Sequence, residues 1–304
     1  MVKWFKTGAS ALAAAALMGG AVQACAALET AAAPADVKPA LWKVADSDTT
    51  IYLFGTIHVL PEGRAWMTPA LEAAVDGADE LVTEIGALET AGAQGGAAMK
   101  ELGMSKGLKP LAQRVPAEKR AALAELVAAS GLPAQALDGM ETWLAGILLF
   151  QATMTRLGVA PESGVEWQLA ERWQDSGKPV LGLETLREQF GIFDRLPEGT
   201  QQAFLVSTLE DPAEMKQQFG AMLDAWARGD VEGVARTFND EEQMPKALRK
   251  VLLDARNVRW TEWLAKRMDR PGTVFVAVGA GHLAGDQSVR AMLKKKGFKA
   301  TRVQ

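Results

Sequence analysis

The chain has 304 residues, of which 48% are hydrophobic and 23% charged, a composition typical of an ordinary globular protein. Its formal net charge of −4 excludes the basic surface that nucleic-acid binding requires. With one Cys in the whole chain, an internal disulfide is also excluded.

The N-terminal residues have the pattern of a secretory signal peptide. Lys3 and Lys6 form a positive segment, residues 9–18 are apolar, and residues 19–27 are mostly small. The apolar segment is shorter than the roughly 20 residues of a membrane-spanning helix, and no later stretch reaches that length. We therefore predict that residues 1–24 are removed and that the mature protein is exported to a bacterial periplasm.

Two processing routes fit the residues around the predicted cleavage site. Cleavage after Ala24 leaves Cys25 as the first residue, which resembles a lipoprotein signal and predicts a lipid anchor. Gln23 is unusual in such a signal, so release of a soluble protein stays open. Residues 25–40 are rich in Ala and Pro and are typical of a tether. Residues 41–304 are then predicted to form one domain.

The elements alternate between sheet and helix patterns along the chain. A hairpin is predicted over 41–56, a helix from Thr68 to about 77, and a strand over 80–85. Residues 86–107 are Ala- and Gly-rich and predict a loop or a poorly packed helix. Helical periodicity then covers 116–129, 139–157, 163–176, 199–209, 211–228 and 241–269, with breaks near the last of these, and a strand is predicted over 177–184. The chain ends with a strand over 272–278, a helix over 284–296 and a strand over 298–303.

This order predicts an α/β (α+β) fold. A mixed central sheet is built from both ends of the chain, and a large helical insertion, about 116–268, caps it. Trp side chains in the insertion are expected to pack in the core or to form the wall of a groove.

The two His residues of the chain occur in the same local pattern. One apolar run ends in Gly55-Thr56-Ile57-His58, and another ends in Gly279-Ala280-Gly281-His282. Each run is typical of a buried strand, and Gly at its end permits a sharp turn or a close approach. Because ligands bind at the carboxyl ends of strands in open α/β sheets, we predict that His58 and His282 share one site. The alternative is two unrelated histidines that close two strands.

Two acidic residues end further predicted strands, Glu84 and Glu184. Two imidazoles beside a carboxylate are typical of a divalent-metal site, and without thiolates the ligands must be nitrogen and oxygen. Glu84 is expected to complete that site as a ligand or as a base. The alternative for both residues is an ordinary acid at a strand end, and Glu184→Gln is expected to matter less than Glu84→Gln.

These motifs together resemble the TraB/GumN family, whose animal relatives are the Tiki proteases. The resemblance extends from about Leu41 to Val303. It rests on the two Gly-x-x-His motifs, on Glu84, and on segments that are similar to further family motifs: Gly164-Val165-Glu166, Leu183-Glu184-Thr185 with Gln189, and Arg256-Asn257. Many members have Asp where this chain has Glu166.

The resemblance implies an erythromycin-esterase-like core and metal-dependent hydrolysis. It implies that His58, His282 and Glu84 bind a divalent ion (Zn²⁺, Mn²⁺ or Co²⁺) and that Arg256 is an oxyanion or carboxylate partner. Gly55, Gly279, Glu166, Glu184 and Asn257 would support the site. The expected substrate is a peptide or a small amide or ester, as for a metalloprotease. The alternative is a periplasmic module of the same fold that binds a metal, haem or a peptide without turnover.

Overall fold

A computed structural model describes residues 37–86, 88–174, 176–239 and 246–304. The predicted signal peptide, Cys25 and most of the predicted tether lie outside these ranges. Within the ranges, no helix combines the length and the apolar character needed to cross a membrane.

Eight strands and thirteen α-helices alternate along the described chain. The strands are β1 (Leu41–Ala45), β2 (Thr49–Thr56), β3 (Leu60–Pro61), β4 (Glu80–Ile85), β5 (Val159–Ala160), β6 (Val180–Glu184), β7 (Gly272–Gly279) and β8 (Thr301–Arg302). The helices are α1 (Pro69–Asp76), α2 (Leu88–Gly103), α3 (Arg120–Ser130), α4 (Ala134–Asp138), α5 (Thr142–Arg156), α6 (Val165–Gln174), α7 (Leu186–Asp194), α8 (Glu198–Ser207), α9 (Pro212–Ala227), α10 (Val231–Asn239), α11 (Lys246–Arg249), α12 (Ala255–Arg267) and α13 (Val289–Lys295). A π-helical segment, Lys250–Asp254, joins α11 to α12.

Six strands form one mixed sheet in the order β6-β4-β7-β2-β1-β8. The four strands β6, β4, β7 and β2 are parallel, and β1 and β8 add antiparallel pairs at one side. Because β7 comes from the end of the chain and pairs with β2 and β4, the sheet is built from both chain ends, which confirms the predicted α/β class.

Both faces of the sheet are covered, and the alternation of side chains along each strand decides which residue faces which layer. Phe54, Phe275 and Ala277 pack on one face against α1, α6, α9 and α10. Leu53 and Val276 pack on the other face against α12 and α13. Because both faces of the sheet are buried, the sequences of the central strands are continuous apolar runs.

Further helices pack in two additional apolar clusters, one shared by α2, α5, α7 and α8, the other by α3, α4, α5 and α8. Trp143, Trp173, Trp226 and Trp260 are buried, as expected of core residues. The predicted region 86–107 contains a full helix, α2, because Gly95 and Gly103 let it approach Leu186 and Leu144 closely. The sequence reading also missed α7 and α10.

Candidate metal centre at the carboxyl edge of the sheet

Three neighbouring strands bring His58, Glu84 and His282 to one edge of the sheet. Strands β2 and β7 end in register, with Thr56 opposite Gly279, and β4 lies on the other side of β7. The His58 Nε2 atom lies 4.0 Å from Glu84 Oε1, and the His282 Nε2 atom lies 3.7 Å from the same oxygen. The sum of these distances, 7.7 Å, is the upper limit for the separation of the two nitrogens. Both imidazoles therefore face one carboxylate oxygen.

The ring of His58 is oriented by Glu166. Its Nδ1 lies 2.5 Å from Glu166 Oε1, and the hydroxyl of Thr56 donates to the same carboxylate oxygen. With Nδ1–H donated to the carboxylate, the lone pair of the neutral ring is on Nε2, which faces Glu84. About 24% of the His58 side chain is exposed, so this ligand lies on the open side of the centre.

The chain places Glu166 there through two contacts. Strand β3, just after His58, pairs with β5, just before α6, with Leu60 opposite Ala160. The backbone N–H of Val165 then donates to the carbonyl of Ile57 at 3.0 Å. The first turn of α6 is thereby fixed against the segment that carries His58, and Glu166 faces its imidazole.

The ring of His282 is oriented by Asn257 on α12. Its Nδ1 lies 2.6 Å from Asn257 Oδ1, and Asn257 Nδ2 donates to the carbonyl of Gln287 at 2.8 Å. The Gln287 carbonyl can only accept, so the amide group of Asn257 must point its nitrogen at that carbonyl and its oxygen at the ring. The ring therefore donates its Nδ1–H to Asn257 Oδ1. The Trp260 ring packs against the imidazole with centroids 4.2 Å apart. His282 therefore also presents the lone pair of Nε2 to the centre.

Glu84 is buried and held at both oxygens. Oε1 accepts a hydrogen bond from the backbone N–H of Gly279 at 2.8 Å, and Oε2 accepts one from Arg256 Nη2 at 2.5 Å. Burial alone would raise the pKa of Glu84, but Arg256, the two imidazoles and the Gly279 N–H together outweigh it and lower that pKa from 4.5 to about 2. Glu84 is therefore an ionised carboxylate at neutral pH.

Arg256 lies at the back of the centre and is 1% exposed. Its guanidinium pairs with Glu84 and also with Glu184. Its Nη1 donates to the carbonyl of Leu252 in the π-helical segment at 3.0 Å and lies 3.2 Å from His282 Nε2. Arg256 is thus a buried partner of two carboxylates and not an exposed charge on the helix surface.

Glu184 is buried and ion-paired, so it is not the ordinary acid at a strand end that was its alternative interpretation. Its side chain is 2% exposed, pairs with Arg256, and accepts a hydrogen bond from Gln189 Nε2 at 3.1 Å. Burial raises the pKa of Glu184, although Arg256 opposes that shift. Its carboxylate belongs to the same buried network as Glu84, so Glu184→Gln is not a neutral control for Glu84→Gln.

The two histidines differ in their protonation. Burial disfavours the charged form of His58, but the carboxylates of Glu166 and Glu84 together outweigh burial and raise the pKa of that imidazole. Burial and the nearby Arg256 hold the pKa of His282 well below its usual value of 6.5. His282 is therefore neutral at physiological pH, which is the state that binds a metal ion.

The charges of the centre do not balance. In the described part of the chain, the buried guanidinium of Arg256 pairs with the carboxylates of Glu84 and Glu184, and a third carboxylate, that of Glu166, pairs with His58. Arg259 pairs with Glu184 at 3.3 Å, but its side chain is 54% exposed. When both histidines are neutral, as metal binding requires, the three carboxylates outnumber the two guanidinium groups, and a buried excess of negative charge favours a cation. A proton on His58, whose pKa is raised, offsets that excess in the absence of a cation.

The nitrogen and oxygen donors have the chemistry of a divalent-metal site, but they are spaced more widely than one ion requires. Around a tetrahedral ion with bonds of about 2.0–2.1 Å, neighbouring ligand atoms are about 3.4 Å apart. The nitrogen–oxygen separations of 3.7 and 4.0 Å exceed that value by a few tenths of an ångström. As placed, no three His, Cys, Asp or Glu side chains of the described ranges are close enough to hold an ion. A small inward shift of both rings is required.

Gly279 provides the space in which the three ligands meet. A Cβ atom at this position would lie 2.9 Å from His58 Nε2 and 3.1 Å from Glu84 Oε1. The first contact is shorter than Cβ atoms adopt and the second is tighter than most, so a side chain here would displace His58 and press on Glu84. The glycine of the second Gly-x-x-His motif is therefore required by the centre rather than by a turn.

Gly279→Ala is expected to reduce hydrolytic activity by about 100-fold, because displacing a positioned group by about 1 Å has effects of that size. Gly220→Ala is the matched control, since nothing lies within 4 Å of a Cβ atom there. Activity and the melting temperature are measured for both variants. A Gly279→Ala protein with full activity would show that the ligands do not converge at this point.

The sequence reading gave no role to several side chains that the structure places at the centre. Thr56 donates to Glu166, Trp260 packs against His282, and Gln189 bridges Glu84 and Glu184. Thr56 and Gln189 lie within the quoted motifs, whereas Trp260 carried no signal beyond its aromatic character.

Comparison with known proteins is consistent with the motifs. The TraB/PrgY/gumN family model matches residues 40–302. An uncharacterized protein of Escherichia coli K12, YbaP, is 24% identical over 80% of this chain and 87% of its own length. An uncharacterized protein of Treponema pallidum is 20% identical over 84% of this chain and 80% of its own length. No solved structure matches the chain.

Proposed function

This chain belongs to the TraB/PrgY/gumN family, and we propose that it is an exported metal-dependent hydrolase that cleaves amide or ester bonds, in particular peptide bonds. One observation carries the proposal: two imidazoles direct their Nε2 atoms at one ionised carboxylate oxygen in a negatively charged centre. Nitrogen and oxygen ligands of this kind bind Zn²⁺, Mn²⁺ or Co²⁺. The resemblance to the Tiki proteases supports the same chemistry.

A bound divalent ion supplies hydroxide near neutral pH and polarises a substrate carbonyl. The chain itself supplies orientation and charge. Glu166 and Asn257 hold the imidazole tautomers that leave both Nε2 atoms free of protons. Arg256 keeps Glu84 ionised, so that Oε1 serves as a ligand or accepts a proton. Glu166 Oε2 is buried without a partner among the described residues and accepts a hydrogen bond from water or substrate.

Binding without turnover is the second candidate, and one contact favours it. In this structure Arg256 Nη1 lies 3.2 Å from His282 Nε2 and donates to the lone pair that a metal ion requires. If that hydrogen bond persists, the chain is a binding module of the same fold, and the guanidinium is the cation of the centre.

Metal analysis separates the two candidates. The mature protein is purified without chelator, its metal content is measured, and hydrolysis of a pool of peptides is followed by mass spectrometry. We expect about one divalent ion per chain and cleavage that a chelator abolishes and added metal restores. A protein that takes up no Zn²⁺, Mn²⁺ or Co²⁺ and cleaves nothing contradicts the proposed hydrolase.

Export is tested at the N-terminus. We expect the protein from its native host to begin within residues 20–27, because the positive, apolar and small-residue segments occur in the order of a signal peptide. Intact-mass analysis decides the question, and a diacylglyceryl mass on Cys25 would identify a lipoprotein. A cytoplasmic chain that retains Met1 would contradict export.

A further inference from the structure

Arg256 occupies the atom of His282 that a metal ion would bind. Its Nη1 lies 3.2 Å from His282 Nε2 and donates to that nitrogen, because the other ring nitrogen donates its proton to Asn257. An unprotonated ring nitrogen has one lone pair, which either accepts a hydrogen bond or binds a metal ion. A metal ion about 2.1 Å from Nε2 along that lone pair would lie roughly 1 Å from Nη1. The two cations therefore exclude each other at His282.

The other contacts of Arg256 allow it to release His282 without leaving the centre. Its Nη2 pairs with Glu84 and with Glu184, and neither contact involves Nη1. The guanidinium also lies over the Trp260 ring, 4.5 Å from the ring centroid. A rotation of the planar group about Nη2 keeps both ion pairs and the contact with the indole while it moves Nη1 away from the imidazole. The positive charge beside Glu84 is then retained when His282 is released.

One donor of Arg256 is unsatisfied in the arrangement that the structure shows. Nε is buried and has no hydrogen-bond partner within the described ranges. In the same ranges, Glu184 Oε2 pairs with the largely exposed Arg259 alone, at 3.3 Å. Arginine commonly binds a carboxylate through two parallel N–H groups, so rotation toward Glu184 offers it Nε together with Nη2. Nη1 also donates to the Leu252 carbonyl at 3.0 Å and keeps a partner nearby when it releases His282.

We propose that Arg256 controls the loading of the centre, in the metal site of the hydrolase proposed above and resting on that proposal. Its guanidinium closes the centre by occupying His282 Nε2, and a divalent ion binds there only as Arg256 releases that nitrogen. Each loading event therefore breaks the hydrogen bond between Arg256 and His282. Because hydrogen bonds with a charged donor are the stronger ones, this competition should weaken metal binding by about 10-fold or more.

The test measures the affinity of the mature protein for Zn²⁺, without a histidine tag or substrate, against a competing chelator of known affinity. Arg256→Lys keeps the positive charge between the two carboxylates, but an ammonium group has no fork that reaches His282 as well. We expect Arg256→Lys to bind Zn²⁺ about 10-fold more tightly than wild type, or more. Arg259→Lys is the matched control, because Arg259 pairs with the same Glu184 and, in the described part of the chain, with neither histidine. Its affinity should be unchanged.

A second measurement requires no variant. The chain contains two histidines, so isotopically labelled histidine gives a simple NMR spectrum of the ring nitrogens. In the chelator-treated wild type, His282 Nε2 should have the shift of an unprotonated nitrogen that accepts a hydrogen bond. Added Zn²⁺ should replace that signal with the signal of a metal-bound nitrogen. A free lone pair on Nε2 before Zn²⁺ is added would overturn the proposal, whether or not Arg256→Lys folds.

The outcomes separate this inference from the proposed hydrolase. A wild type that binds Zn²⁺ and cleaves peptides, while Arg256→Lys binds Zn²⁺ no more tightly, contradicts the competition alone and leaves Arg256 as a positioning residue for Glu84. A wild type that neither binds Zn²⁺ nor cleaves peptides, while Arg256→Lys binds Zn²⁺, contradicts the hydrolase and supports the competition. Equal gains in affinity for Arg256→Lys and Arg259→Lys would also overturn it, because only one of these arginines contacts His282.

Discussion

Replacing His58 or His282 by Ala is expected to abolish metal binding and to reduce hydrolysis on the order of 1000-fold, equivalent to about 4 kcal/mol of transition-state stabilisation. Each replacement removes one of the two nitrogens that face Glu84 Oε1. His58→Ala should leave stability nearly unchanged because its ring is partly exposed. His282→Ala should cost more, since its ring packs on Trp260 and bonds Asn257.

A graded series strengthens that test. Glu166→Gln and Asn257→Ala remove groups that orient the rings, and changes of this kind cost about 10–100-fold in metal affinity or activity. Metal titration and peptide cleavage are measured for every variant. Full metal affinity in either His variant would show that the two imidazoles do not share one ion.

Glu80→Gln is the control for Glu84→Gln. Both acids lie on β4 and both pair with an arginine, but Glu80 lies at the opposite end of the strand, where Arg267 Nε is 2.5 Å from Oε1. Glu84→Gln should remove metal binding and activity, whereas Glu80→Gln should affect stability only. Equal losses of activity in both variants would indicate that a general weakening of the strand, not the centre, is responsible.

Arg256→Met is expected to reduce the free energy of unfolding by about 3–5 kcal/mol, because it leaves two buried carboxylates without their counter-charge. Arg259→Met is the matched control on the same helix. Arg259 also pairs with Glu184, but it is largely exposed, and exposed ion pairs contribute about 0–1 kcal/mol. Denaturant unfolding of the chelator-treated proteins measures both losses. Equal losses would show that burial of Arg256 has no energetic consequence.

The loss in Arg256→Met should depend on pH. The pKa of Glu84 is about 2 in the folded protein and near 4.5 without its partners, so its contribution to stability is complete above about pH 4.5. That contribution is lost as the pH falls toward 2. The raised pKa of Glu184 acts in the opposite sense and weakens the trend. The difference between wild type and Arg256→Met should therefore be larger at pH 7 than at pH 4. A difference that does not change with pH would contradict the assigned ion pair.

The sequence pattern predicted the strands and helices whose formation depends mainly on residues close together in the chain. The two apolar runs that end in Gly-x-x-His are strands, and they are neighbours in one sheet. Helix α7 was missed although its capping box, Thr185 with Glu188, is a local signal for a helix start. The helix predicted over 241–269, with breaks, begins in residues 241–245, which lie outside the described ranges, and it continues through the π-helical segment into α12. The π-helical form of the break has no clear signature in a 3.6-residue pattern.

The three side chains of the candidate site were predictable from the sequence, and the network of contacts around them was not. His58, Glu84 and His282 are each marked by a strand end, and strand ends meet at one edge of a parallel sheet. The pairing of Glu184 with Arg256 joins a strand end to the buried face of α12, and no spacing along the chain encodes that contact.

The central position of β7 has a consequence for folding. Thr49 pairs with Gly272, a partner 223 positions later in the chain, so the sheet closes through contacts of very high sequence separation. Until that last long strand is synthesised, β2 and β4 expose unpaired inner edges, which favour aggregation. Folding is therefore expected to be slow and to await the C-terminal segment. A chain truncated before residue 272 would lack β7 and His282. The six-stranded sheet and the centre could not form, because β7 joins the strands that carry His58 and Glu84.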